Sequence, residues 1–81
     1  MDLGKKIMTM RNEKNLSQEQ LAEKLNVTRQ TISNWENGKF YPDIDSLVNL
    51  SKFFNVSLDV LLSYDDKVLD YLKDSTDIVK S

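Results

Sequence analysis

Large apolar residues recur along this chain at helical spacing and almost nowhere at strand spacing. Leu3, Ile7 and Met10 fall at i, i+4 and i+7, which predicts an amphipathic helix from Leu3 to about Lys14, with Lys5, Lys6, Arg11 and Lys14 interleaved. Asn15 and Leu16 break that pattern. Ser17 followed by Gln20 is a capping box, and the helix it opens buries Leu21, Ala22 and Leu25 before stopping at Asn26, a residue that tolerates the left-handed conformation. Only Asn26 and Val27 separate that helix from the next cap, Thr28. A third short helix, Arg29 to about Glu36, has just two large apolar residues, Ile32 and Trp35, and is otherwise polar. Asn37 and Gly38 end it, and Lys39–Pro42 reads as a loop. Asp43 caps a fourth helix carrying Ile44, Leu47, Leu50 and Phe54, with Val48 beside them. Asn55 ends that helix and Ser57 caps a fifth, made apolar by Leu58, Leu61 and Leu62. Period-2 alternation is missing at any useful length, so a sheet is not expected. The predicted class is all-α.

Composition narrows the picture. Eighty-one residues make one small domain. About 30% of them are Leu, Ile, Val or Phe, enough to fold rather than stay disordered. Gly4, Gly38 and Pro42 are the few strong breakers. Cys and His are both absent. That removes disulfides, zinc fingers, thiol nucleophiles, imidazole bases and most transition-metal sites, and it suits the reducing cytoplasm. No apolar run approaches the roughly 20 residues of a membrane span, and Met1–Met10 lacks the apolar stretch of a signal peptide. A cytoplasmic protein away from the membrane is expected.

The net charge of −2 hides an asymmetry. Residues 1–41 carry seven Lys and Arg against five Asp and Glu; residues 42–81 carry four against eight. The basic front is compatible with a nucleic-acid partner even though the whole chain is acidic. Residues 1–63 are read as the folded domain, and 64–81 as an acidic extension with Val68, Tyr71 and Leu72 at helical spacing. The extension is open to two readings, a sixth helix that dimerises or a linker to a further domain, and residues 73–81 to fraying or disorder.

Two short helices joined by a three-residue turn, the second mostly polar outside, make a helix-turn-helix pattern. Ala22 has to be small for the next helix to cross close above it, and Ile32 and Trp35 plug that helix into the core. The stretch Asn15–Lys39, NLSQEQLAEKLNVTRQTISNWENGK, closely resembles the Xre/Cro-type, lambda repressor-like helix-turn-helix family, and FYPDIDSLVNLSKFFNVSLDVLL resembles its last two helices. The resemblance covers about Leu3–Leu62. Asn26 departs from the older form of the motif, which favours Gly there; Asn meets the same backbone need.

The resemblance implies a five-helix domain that binds double-stranded DNA, and groove chemistry then assigns roles. A recognition helix presents its N-terminal residues to base edges, which puts forward Arg29, Gln30, Ser33 and Asn34. Arg suits guanine, and Gln or Asn suits adenine. In the family a Gln at the place of Gln18 clamps a phosphate, and the positive end of a helix favours one there. Thr28 and Thr31 are further candidate phosphate contacts, although Thr28 is needed as a cap in any case. Asn37, Lys39 and Tyr41 make a candidate second clamp, with packing of Tyr41 on Pro42 as its bland reading. Trp35 is read as core rather than as a base-stacking platform. The resemblance also implies an ion pair between Arg11 and Glu36, so Glu36 is read as structural rather than catalytic.

So small a module neutralises few phosphates, and a homodimer on a two-fold operator is expected. The surplus apolar residues for its interface are Phe53, Val56, Leu58, Leu61 and Leu62, together with Val60; the alternative is that they complete the core. No phosphate loop, calcium loop or peptidase module is found, and no enzyme, cofactor, metal or small-molecule ligand is expected. The function expected is a DNA-binding transcriptional regulator, a repressor that occludes its promoter. The alternative is an antitoxin or adaptor on the same fold, whose protein partner is held by the C-terminal region.

Overall fold

The way each helix is stopped explains most of the architecture. In the computed structural model, which describes residues 3–62, the chain forms α1 (Leu3–Glu13), α2 (Gln18–Leu25), α3 (Arg29–Glu36), α4 (Ile44–Phe54) and α5 (Leu58–Leu62). Three of the four connections use the same tripeptide: an Asn, an apolar residue, and a Ser or Thr. Asn15, Asn26 and Asn55 hold φ of 58°, 59° and 56°, the left-handed region that Asn enters more readily than most residues. The next N–H in each case folds back to a carbonyl five residues earlier: Leu16 to Arg11 (3.1 Å), Val27 to Ala22 (2.9 Å) and Val56 to Ser51 (3.0 Å). This satisfies a carbonyl the helix end would otherwise orphan. It also lays Leu16, Val27 and Val56 against the core. The third residue caps the next helix, Ser17 accepting from the Gln20 N–H, Thr28 from Thr31 and Ser57 from Val60, at 3.0–3.1 Å.

The fourth connection is longer because it must carry a loop. Gly38, at φ 74°, plays the part that Asn plays elsewhere, and the Lys39 N–H reaches the Asn34 carbonyl at 2.9 Å. Pro42 is buried beneath the loop. Asp43 then caps α4 by accepting from the Ser46 N–H at 2.8 Å.

The core draws on every helix: Leu3 and Ile7 from α1, Leu21 and Ala22 from α2, Ile32 and Trp35 from α3, Leu47, Leu50 and Phe54 from α4, and Leu61 from α5. Burying such side chains is worth about 1.5–3 kcal/mol each, the main favourable term for so small a domain. Leu25, expected in this core, is only partly buried at its edge, as is Val27.

Two expectations need correction. Ile44 was assigned to the buried stripe of α4, yet it lies at the first turn with 42% of its surface exposed. Leu61 was assigned to a dimer interface, yet it is fully buried inside this chain. Gly4 lies inside α1, as the helix expected from Leu3 requires. A Cβ there would sit 2.5 Å from the Trp35 carbonyl oxygen and 2.7 Å from that of Glu36, so α1 rests directly on the carbonyl end of α3. Among the described residues there is no strand. The extension from residue 64 onward, with Val68, Tyr71 and Leu72, lies outside them.

Candidate nucleic-acid interface

Only two large apolar side chains of α3 face inward. Ile32 is fully buried and Trp35 is 6% exposed, which agrees with the reading of Trp35 as core. The rest of the helix is left to polar groups. Arg29 and Gln30 are exposed, and Thr31, Ser33 and Asn34 are half-buried along the same helix. These groups are already organised by one another. Gln30 Nε2 donates to Asn34 Oδ1 at 3.1 Å, Asn37 Nδ2 donates to Ser33 Oγ at 3.3 Å, and the Thr28 and Thr31 hydroxyls lie 2.9 Å apart. Thr28 also caps the helix.

A buried carboxylate holds α3 to the two helices before it. The Glu36 side chain is wholly shielded from solvent. Its Oε2 accepts from Arg11 Nε at 2.7 Å, and its Oε1 accepts from Arg11 Nη2 at 3.1 Å and from Gln18 Nε2 at 3.0 Å. The remaining Arg11 fork donates to the Leu16 carbonyl at 2.8 Å. No buried side-chain nitrogen or oxygen among the described residues lacks a partner. Such a site is costly to leave half-occupied, since removing one member of a buried pair typically loses 3–5 kcal/mol. The expected Arg11–Glu36 pair is therefore present, and it sets the angle of α3 against α1.

Gln18 has a second attachment that the sequence reasoning missed. With its nitrogen committed to Glu36, its oxygen turns toward Arg29, whose Nη1 lies 3.5 Å away. A chain of contacts thus runs Arg11, Glu36, Gln18, Arg29, from the core to the exposed start of α3. The i to i+18 and i to i+11 separations carry no local signal in sequence. At the start of α2 the N–H groups of the first turn have no helical partner. That of Gln20 is taken by the Ser17 hydroxyl, which leaves the N–H groups of Gln18 and Glu19 at the helix tip.

At the far end of α3, Asn37 and Lys39 are exposed and Tyr41 is half-buried against the core. Phe40, which sequence reasoning passed over, is 59% exposed between them. Its backbone N–H, like that of Lys39, is directed at the Asn34 carbonyl, at 3.4 Å. The α2 tip and Thr28 at one end of α3, and the loop at the other, therefore flank a polar helix. Short-range donors at both flanks with an amide-rich surface between suit a phosphate backbone on either side of a groove.

The residues expected at a subunit interface divide. Phe53, Val56 and Leu62 are partly buried against the core, Leu58 is 38% exposed and Val60 53% exposed. Phe53 packs edge-on to Phe54 with Lys14 Nζ 5.6 Å above its ring, and Lys6 Nζ donates to the Val60 carbonyl at 2.7 Å. No cluster of carboxylates able to hold a metal occurs among the described residues, and no described helix is long and apolar enough to cross a membrane.

Comparison with known proteins gives a consistent picture. A helix-turn-helix family model matches residues 7–61. The chain is 50% identical over 68 residues to the HTH-type transcriptional activator BcrR of Enterococcus faecalis, covering 84% of this chain and 33% of that protein. It is 41% identical over 66 residues to the HTH-type transcriptional regulator ImmR of Bacillus subtilis (strain 168), covering 82% of this chain and 52% of that one. It thus spans between a third and about half of the length of these relatives. Among solved structures, the P22 c2 repressor in complex with a synthetic operator is similar at a TM-score of 0.74 and 31% identity, with 80% of this chain and 98% of that chain covered.

Proposed function

This chain belongs to the helix-turn-helix family, and on that premise we propose that it is the DNA-reading part of a transcriptional regulator. The observation that carries the reading is the polar surface of α3, fixed in place by the part-buried Arg11–Glu36–Gln18 cluster. In this reading α3 lies in the major groove of double-stranded DNA. Arg29, Gln30, Ser33 and Asn34 meet base edges, each good bidentate pair discriminating by about 1–3 kcal/mol. Gln18, Thr28 and Thr31 hold the backbone on one side, and Asn37, Lys39 and Tyr41 hold it on the other. Phosphate contacts set register and supply much of the affinity.

One copy offers too few phosphate contacts for tight binding, so the working form is a homodimer on a palindromic operator with half-sites about 34 Å apart. Exposed Leu58 and Val60, with the edges of Phe53, Val56 and Leu62, form its interface. Leu61 has no part in it. The regulator works in the cytoplasm without cofactor, metal or chemical step, and it represses by covering a promoter. Likeness to the P22 c2 repressor bound to operator supports repression. A second reading, activation from an adjacent site, is favoured by the 50% identity to BcrR, named as an activator.

Selection of bound sites from random duplex DNA tests the proposal. A two-fold symmetric site is expected, with binding that weakens steeply with salt and is lost on Arg29→Ala. Weak binding without sequence preference, unchanged in Arg29→Ala, would overturn it and favour the adaptor alternative. A promoter fusion carrying the selected site then separates repression from activation.

A further inference from the structure

Gln30 and Asn34 stand one turn apart on α3, and their side-chain amides are bonded, Gln30 Nε2 donating to Asn34 Oδ1 at 3.1 Å. A Gln amide has one accepting oxygen and two N–H donors. This bond uses one donor and leaves Gln30 with its oxygen and a second N–H. That pair is complementary to the N6–H donor and N7 acceptor of adenine in the major groove. Turned over about its last torsion, the same amide would set its oxygen against the Asn34 oxygen, two acceptors facing each other. With its oxygen facing Gln30, Asn34 therefore favours the first orientation; an Asn34 amide turned over together with Gln30 would donate instead, an arrangement that Asn34→Asp, able only to accept, excludes.

Asn34 is well placed to do this. It is half-buried while Gln30 is exposed. Its backbone carbonyl also receives the N–H groups of Lys39 at 2.9 Å and Phe40 at 3.4 Å, which ties it to the loop beyond α3. We propose that Gln30 and Asn34 read DNA as one unit, Asn34 acting as a positioning residue whose amide oxygen orients Gln30 toward adenine. The inference rests on the DNA-reading function above and adds a base preference and its cause.

The test is site selection with the full chain and with Gln30→Ala, Asn34→Ala and Asn34→Asp. The position where Gln30→Ala abolishes a preference identifies the base pair concerned. The wild-type chain is expected to favour A·T there by roughly ten-fold, within the range for one bidentate contact. Asn34→Ala should lose most of that preference. Asn34→Asp should keep it, because a carboxylate oxygen also only accepts, even though overall affinity falls near phosphates. Circular dichroism of each variant establishes that the helices are intact; the loop is anchored through the backbone of residue 34, which substitution leaves in place.

Two outcomes overturn the inference alone: an A·T preference undiminished in Asn34→Ala, or one lost equally in Asn34→Ala and Asn34→Asp together with a preference at a neighbouring pair. The latter would mean that the Asn34 amide reads a base itself. A wild-type chain that selects no sequence would overturn both this inference and the function beneath it, and is told apart because no variant then has a preference to lose.

Discussion

At the scale of single residues, the least conspicuous position is among the most constrained. Gly4 lets α1 rest on the carbonyl end of α3 with no side chain between them. Ala is normally the better helix former by about 1 kcal/mol. Here the added methyl meets two backbone oxygens that cannot swing aside, so Gly4→Ala is expected to destabilise by about 1–3 kcal/mol, measured by urea unfolding. A rise in stability would show that the helices have room to separate. Sequence reasoning could not find this role, because a glycine inside a helix looks the same whether it is tolerated or required. The Arg11–Glu36 pair was legible only through family resemblance, since nothing local joins residues 25 apart. The Gln18 link to Glu36 escaped even that.

At the scale of elements, the helix ends carry most of the local instruction. Asn26→Ala should cost about 1–2 kcal/mol, the penalty for holding an ordinary L-residue in the left-handed region, whereas Asn26→Gly should be nearly neutral. Thermal melts of the two variants separate backbone strain from loss of the Asn side chain. The α4 cap gives a pH signature. Hydrogen bonds from the Ser46 side chain and backbone hold the Asp43 carboxyl below the usual carboxylate range. Its stabilisation is complete above the unfolded pKa of about 3.9 and is lost as pH falls through the lower folded value. Asp43→Asn retains a capping oxygen without the charge, so its stability deficit relative to wild type should be present at neutral pH and shrink below about pH 4. Helix identities and caps were readable because those rules act over three or four residues. The inward face of α5 was not: with Leu58, Val60, Leu61 and Leu62 in five residues, periodicity cannot choose among them, and only packing against α1 and α4 selects Leu61. Ile44 failed for a related reason, since a first-turn residue has little of the helix behind it to turn it inward.

For the whole molecule, that distinction within α5 separates folding from association. Leu61→Ala should cost about 2–5 kcal/mol, as for other buried leucines. Val60→Lys should leave the unfolding midpoint nearly unchanged, because its side chain is largely solvated, yet shift the proposed dimer toward monomer in sedimentation equilibrium. A monomer that melts early would instead show Val60 to be core. The general fold was legible because all five helices obey local patterns; the site was legible as a set of residue types, and its wiring was not, because three helices meet in it.

The three Asn-apolar-Ser/Thr turns bear, finally, on how the chain finds its structure. Each redirects the chain using bonds that span five residues or fewer. The pairs α2 with α3 and α4 with α5, each joined by such a turn, can therefore form before distant parts of the chain meet, with little loop-closure entropy to overcome. Architectures of such short sequence separation fold in microseconds to milliseconds. A chain of this kind can complete the five-helix unit proposed to read DNA before slower processes such as subunit assembly have begun.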